Sequence, residues 1–420
     1  MDDPKKTYGH MKKCIYCGLF FLVSFPFLAF PQADKAAAKE FILLEGELME
    51  KAKERISFGA QRPLLPAVQA LLREADEKLQ EGPFSVTHKK QLPPSGDIHD
   101  YTSMGPYWWP DPEKEDGLPY IRRDGEINPE YYDYRDKEEL GKLMAALRVL
   151  SQAHFFSENE RYAAHAIDLI RAWFINPETK MNPNLNYAQR IPGRTEGRGI
   201  GIIDTRSFSE LPDILYMLFR SDHWDSAVEN GMREWISHYL DWLVNSAHGK
   251  DEATHGNNHT TWYFAQTIPL ALFIGQQERA DSLAQVGLPL ILDEMIEGDG
   301  SQPKELDRTR SWDYSAMNLL GIMSYAEAAA QSGRDLWTYE NPKGGSIRKA
   351  IDFMLPYLSD KNKWPYNQIQ EKRNERMAEP LAIAAHVYQH KAYKQLSEQI
   401  GSERNGFLYW DLLDYRDLRE

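Results

Sequence analysis

Residues 254–263 read Thr-His-Gly-Asn-Asn-His-Thr-Thr-Trp-Tyr. Asn257, Asn258 and His259 follow a glycine and open an apolar, aromatic run with helical spacing, so they stand at a helix start. There, free N–H groups and the positive end of the helix dipole favour an anion, and amides and an imidazole supply further donors. The same asparagines would serve as N-caps. Trp262, one turn on, adds an aromatic face. His255 and His259 are four apart, as in a zinc-binding helix. That pattern needs a Glu directly after its first His, and Gly256 stands there, so no metal or other cofactor is expected.

Residues 302–314 read Gln-Pro-Lys-Glu-Leu-Asp-Arg-Thr-Arg-Ser-Trp-Asp-Tyr. Ser311 has the character of an N-cap for a helix to about Gln331, with Arg308 and Arg310 just before it and Tyr314 in its first turn. Two guanidiniums beside a helix start can clamp a carboxylate in bidentate fashion, although a solvated charge run has the same composition. Taken together, the two segments fit removal of the weakly acidic proton beside a sugar carboxylate. Neutralising that carboxylate stabilises the developing negative charge, and Asn258 and Arg308 suit the task. A base must take the proton and an acid must protonate the leaving oxygen, roles that His259 and Tyr314 can divide.

These groups need rigid elements to bring them together. Apolar residues recur at three- and four-residue spacing over 36–57, 65–82, 137–156, 160–174, 207–220, 225–246, 259–275, 278–296, 312–331, 346–358 and 375–399. Alternating, strand-like runs are few. So many paired helices predict an all-α fold, an incomplete (α/α) toroid, with residues 34–420 as one domain. Residues 91–135 and 180–206 break the pattern with repeated Pro and Gly. Loops of that length in a compact domain are more often functional than idle.

The 420-residue chain carries 11 Trp, 22 Tyr and 17 Phe, several of them in those polar loops, where they could stack on sugar rings. Both cysteines, Cys14 and Cys17, lie in an apolar stretch that follows Lys12-Lys13 and ends near Pro31-Gln32-Ala33. This reads as a signal peptide over residues 1–33, hence a secreted, periplasmic protein with no stable membrane association once processed. Its removal takes the net charge from −14 to −16, since four lysines and two aspartates leave. Such a charge argues against a nucleic-acid partner but permits an anionic one, because a few arginines can set a cleft's local potential.

Asn257-Asn258-His259 before an aromatic helix, with Arg308 and Tyr314 some fifty residues on, resembles the alginate lyase superfamily of helical toroids. Residues 96–111 (Gly-Asp-Ile-His-Asp-Tyr-Thr-Ser-Met-Gly-Pro-Tyr-Trp-Trp-Pro-Asp) and 181–190 (Met-Asn-Pro-Asn-Leu-Asn-Tyr-Ala-Gln-Arg) resemble its glucuronan and alginate lyase branch, polysaccharide lyase family 38. Family 5 is the more distant likeness. The resemblance implies metal-independent β-elimination on a β-1,4-linked polyuronate, an anionic polysaccharide. By position it implies Asn258 and Arg308 as carboxylate neutralisers, His259 as base or carboxylate ligand, and Tyr314 as acid, or as acid and base. Arg308 lies six residues before Tyr314 where family 5 often has seven, so Arg310 stays open as the principal ligand. Around this core Tyr107, Trp108 and Trp109 would stack sugars, Gln189, Arg190 and Arg198 would hold neighbouring uronates, and His99 and Tyr101 would close over the cleft. Two rival readings remain: a toroid glycoside hydrolase, drawing two carboxylates from Asp100, Asp111 and Asp204, and a polyuronate-binding protein without catalysis.

Overall fold

Helices dominate because the apolar stripes have nowhere to bury except against one another. The computed structural model describes residues 41–57, 65–359 and 363–401, all within the unit Glu40–Glu420. The expected signal peptide lies outside the described residues. The chain runs through α1 (Gly46–Ser57), α2 (Leu65–Lys78), α3 (Asp136–Ser157), α4 (Glu160–Ile170), α5 (Leu211–Leu218), α6 (Ser226–Asn245) and α7 (Ala247–Ala253). It continues through α8 (Asn258–Phe273), α9 (Gln277–Leu288), α10 (Pro303–Leu306), α11 (Ser311–Ala330), α12 (Ile347–Met354), α13 (Ala378–Val387) and α14 (Lys391–Gly401). The result is the all-α (α/α) toroid that the periodicity predicts.

Burial separates the walls. α6 buries Val228, Met232, Trp235, Ile236, Tyr239, Leu240 and Leu243, a single stripe at helical spacing. α8 instead buries fourteen of its sixteen residues. It packs against α11, α9 and the 3₁₀ stretch Gly199–Ser209. A helix enclosed on every side must satisfy its polar groups locally, and Thr267 Oγ1 accordingly donates to the Tyr263 carbonyl at 2.9 Å.

The two long loops are fastened to each other. Strand β1 (Thr102–Met104) in the first pairs in parallel with β4 (Tyr187–Arg190) in the second, across a bulge. Within the first loop β2 (Trp108–Trp109) pairs antiparallel with β3 (Ile121–Arg122), which sets the Trp-Trp pair on a short ribbon. Gly197 lets the second loop pass tightly, since a Cβ there would stand 1.9 Å from the Asn186 carbonyl oxygen.

Some boundaries differ from expectation. The run 375–399 is broken at Gln389, whose φ of 53° ends α13 before α14 begins. In the described part of the run 36–57, residues 41–57, the helix starts at Gly46, because residues 42–44 spend their N–H groups on Asp213: Ile42 at 2.7 Å, Leu43 at 2.8 Å and Leu44 at 2.9 Å. Ser311 is the first helical residue of α11 rather than its cap. Its hydroxyl bonds the Asn367 carbonyl and receives the Trp364 indole N–H, both at 2.7 Å.

Candidate active site

Asn257 caps α8 as its sequence predicts, accepting the His259 N–H at 3.1 Å, and Gly256 turns the chain into it at φ 82°. His259 therefore projects from the first turn of α8. Its Nδ1 lies 3.0 Å from Glu252 Oε1 on α7, and Glu252 is fully buried with Oε2 unpartnered. Burial drives this pair away from charge, taking the imidazole down to about 3 and Glu252 well above its ordinary range. The imidazole is thus neutral at physiological pH. With one proton on the pair, Nδ1–H points at Glu252 and Nε2 is a free base; with two, Nε2–H is a donor.

Tyr314 stands in the first turn of α11. Its phenol meets the Tyr107 hydroxyl at 2.8 Å, joining the first long loop to the helix start. The Arg308 guanidinium lies over the Tyr314 ring, 3.8 Å from its centre. Burial pushes the Tyr314 phenol far up, Tyr107 adds to the effect and Arg308 opposes it, so the phenol keeps its proton at neutral pH. His259 and Tyr314 share one neighbourhood, since the Arg308 charge acts on both.

Arg308 is itself held from outside. Asp124, just beyond β3, accepts Arg308 Nε at 3.2 Å and Nη2 at 2.9 Å, and also takes the Thr309 hydroxyl at 2.9 Å. Burial works against a charged Asp124, but Arg308 and Thr309 overrule it and hold its carboxyl below the usual carboxylate range. Arg310 points elsewhere, to Asp313 at 2.7 Å. Of the two arginines, then, Arg308 is the one beside the phenol.

Other expected site residues are committed to the protein. Asn258 is fully buried, and its amide hydrogens go to Glu305 on α10 at 2.8 and 3.0 Å, so it ties two helix starts together instead of facing a ligand. Tyr101 is fully buried with its hydroxyl 3.2 Å from Asp204, which removes it from any role over the cleft. Trp262 is buried in the body beneath Gly321 of α11. Gln189 is buried in a left-handed conformation (φ 50°), bonding Asp204 and Arg198. Arg190 is paired with Glu196 at 2.9 Å and Tyr134 at 3.0 Å. His99 Nδ1–H donates to the Lys180 carbonyl, 2.7 Å away, and so links the two long loops.

Trp108 and Arg198 fit their expected place better. The Trp108 ring lies between Arg194 at 5.2 Å and Arg198 at 5.8 Å. The Arg198 guanidinium bonds Gln189 oxygens at 2.9 and 3.0 Å, and burial lowers its pKa to about 10. Trp109 has Arg123 above it at 5.1 Å. Trp364 and Tyr366 join an aromatic cluster with Trp312, Phe353 and Tyr357, which is packing. The rival hydrolase carboxylates fare poorly. Asp204 is buried against Lys137 at 2.7 Å and Ser103 at 2.6 Å, and Asp100 accepts from Ser95 and Asn182, so neither is free to trade a proton. Among the described residues no group of three or more His, Cys, Asp or Glu is arranged to hold a metal ion.

Glu252, Glu305 and Asp124 escaped the sequence reading. Glu252 sits on a seven-residue helix too short to show periodicity, and Asp124 reaches Arg308 only through the fold.

The profile of the alginate lyase family matches residues 85–364, a span holding both long loops and both helix starts. No curated protein matches the chain. Among solved structures, an alginate lyase from Bacteroides ovatus is 37% identical with a TM-score of 0.81, covering 87% of this chain and 96% of that one. Alginate lyase A1-III from Sphingomonas species A1 is 16% identical with a TM-score of 0.50, covering 80% of this chain and 86% of that one, a likeness of fold alone. A complex of alginate lyase A1-III with a tetrasaccharide gives 14% identity and a TM-score of 0.51, over 84% of this chain and 89% of that one.

Proposed function

The chain belongs to the alginate lyase family and is a polysaccharide lyase, and on that footing we propose that it cleaves a β-1,4-linked polyuronate, alginate or glucuronan, by β-elimination. The observation that carries the reading is a neutral imidazole, His259, and a protonated phenol, Tyr314, both within reach of the charge of one guanidinium, Arg308, which lies over the phenol ring. A bound uronate carboxylate meets Arg308, whose Nη1 is left over by Asp124, and stacks its sugar against the Tyr107–Trp108 side of the cleft. The step uses the one-proton form of the His259–Glu252 pair, in which Nδ1–H is donated to an ionised Glu252. Negative charge arriving beside His259 raises the proton affinity of the bare Nε2, which takes the proton next to the carboxylate. The His259–Glu252 pair then carries compensating charges in a site shielded from water. Electrons shift to expel the glycosidic oxygen, Tyr314 delivers its proton there, and the new chain end is an unsaturated uronate.

Separate groups for base and acid suit an epimer whose proton and leaving group lie on opposite faces. Where both lie on one face, Tyr314 would have to serve twice, with Arg308 easing its ionisation. Asn258 acts in this account by fixing Glu305 and the start of α8. The donors named are all protein groups, so a chelator leaves turnover unchanged. The apolar N-terminal stretch supports action outside the cytoplasm. The test is a panel of defined polyuronates incubated with the purified protein and followed by the ultraviolet absorbance of the unsaturated product. Accumulating absorbance on alginate or glucuronan is expected; its absence on every uronan would overturn the substrate reading.

A further inference from the structure

Away from the catalytic groups, α3, α5, α8, α11 and α13 surround a partly open cavity of about 100 Å³. α11 brings Leu320, Met323, Ser324 and Glu327 to it, roughly 9–20 Å along the helix axis from Tyr314. Trp262 reaches it from α8, and Arg148 and Gln152 reach it from α3.

Two side chains in the cavity wall are left unpaired. Gln152 and Trp262 are each only 5% exposed, and neither Gln152 Oε1 nor the Trp262 indole N–H has a hydrogen-bond partner among the described residues. One is an acceptor and the other a donor, and burying either without a partner is unfavourable. The charge of the wall is also one-sided. Glu210, Asp213, Glu327 and Glu379 line it beside a single guanidinium, Arg148. Arg148 is spent on Glu210, which it bonds in bidentate fashion at 2.6 and 2.7 Å, and Asp213 is spent on three backbone N–H groups. Glu327 has no ion-pair partner among the described residues. Burial, with the charges of Glu45 and Asp213, pushes its carboxyl up to about 7 against a hydrogen bond from Trp337.

Water would satisfy Gln152 and Trp262 but would leave Glu327 without a counter-charge. A metal ion fits less well, since among the described residues no three of His, Cys, Asp or Glu are arranged to hold one. Leu43, Ile214, Leu320, Met323 and Ile383 make the rest of the wall apolar. In the proportion by which a cavity of about 150 Å³ takes benzene, this one takes about four heavy atoms. We propose that the cavity binds a small organic cation, a primary ammonium and a hydroxyl on a short carbon stem. The ammonium meets Glu327 and Gln152 Oε1, the hydroxyl oxygen accepts the Trp262 N–H, and the methylenes lie on the apolar wall. None of these groups transfers a proton in the elimination, so the site stands apart from the lyase reading.

The experiment uses ethanolamine as the probe, ethylene glycol as its uncharged counterpart and potassium chloride at the same ionic strength as a bare cation. Calorimetry and thermal denaturation compare native protein, Glu327→Gln and Gln152→Leu. Saturating ethanolamine should raise the native melting temperature by a few degrees, while the glycol and the salt leave it in place. Glu327→Gln and Gln152→Leu should each weaken ethanolamine binding by about tenfold. In a proton–nitrogen correlation spectrum of native protein, ethanolamine should move the indole N–H resonance that is missing from Trp262→Phe. Absence of ethanolamine binding to native protein overturns the proposal, as does a melting shift matched by the glycol or the salt. Native affinity in Glu327→Gln or Gln152→Leu overturns it too. If neither variant folds, the spectrum decides: a Trp262 resonance that stays in place under saturating ethanolamine rejects the site.

Discussion

The imidazole of His259 is in its neutral form at neutral pH because burial disfavours its cation in the empty site. Its pKa is lowered to about 3, so the folded protein holds it neutral down to that pH, whereas an unfolded imidazole protonates near 6.5. Two consequences follow with the same sign. The acid limb of the kcat/KM profile, which reports the free enzyme, should show no inflection near pH 6.5; a limb with that midpoint would contradict the neutral-base assignment. The unfolded chain also takes up a proton that the folded one refuses between those values, so this group's contribution to stability declines as pH falls through 6.5. Glu252 fixes which imidazole nitrogen faces the cleft, and Glu252→Ala should lower kcat by about 10²-fold or more with little change in KM, read by steady-state kinetics. His259, Arg308 and Tyr314 were legible in the sequence because each sits at a helix start inside an unusual polar run. Asn258 stands out in the sequence as a carboxylate ligand, but its bonds to Glu305 were not legible there, since amide direction depends on what closes around it.

At the scale of elements, the ribbon of β2 and β3 does more than offer aromatic faces. It delivers Asp124 to the start of α11, where a bidentate bond orients Arg308 over the Tyr314 ring. Asp124→Ala should release that guanidinium and lower kcat on the order of tenfold, about 1.4 kcal/mol, more than it changes KM. A variant with native kcat would show that Arg308 needs no such support. The long helices announced themselves through periodicity, as in the single stripe of α6. Short α7 and α10 did not, because seven and four residues barely complete a stripe, yet they supply Glu252 and Glu305. The pairing of β1 with β4 was invisible for another reason: strands this short are set by the loops they join.

At the scale of the whole molecule, the toroid must close its ends as well as its circumference. Leu43 and Leu44 line a partly open cavity of about 100 Å³ together with Arg148, Glu210, Asp213 and Glu327. Asp213 anchors residues 42–44 by accepting three backbone N–H groups, against a burial effect that raises its pKa to about 7. Asp213→Ala strands those donors and should cost about 3 kcal/mol of stability, seen as a lower denaturation midpoint with kcat intact. Unchanged stability would mean that the segment is held by its apolar side chains alone. The (α/α) toroid itself was readable because it needs only enough paired amphipathic helices. This anchor was not, because a contact between residues 42 and 213 leaves no local mark on either segment.

The account turns on the phenol of Tyr314 as the group that protonates the departing sugar, and one comparison reaches it most directly. Steady-state kinetics of Tyr314→Phe on the polyuronate that native protein degrades should show kcat reduced by about 10²- to 10⁴-fold with KM within a few-fold, since only the proton donor is gone. Turnover within a few-fold of native would contradict the assignment and return the search to the other groups around Arg308.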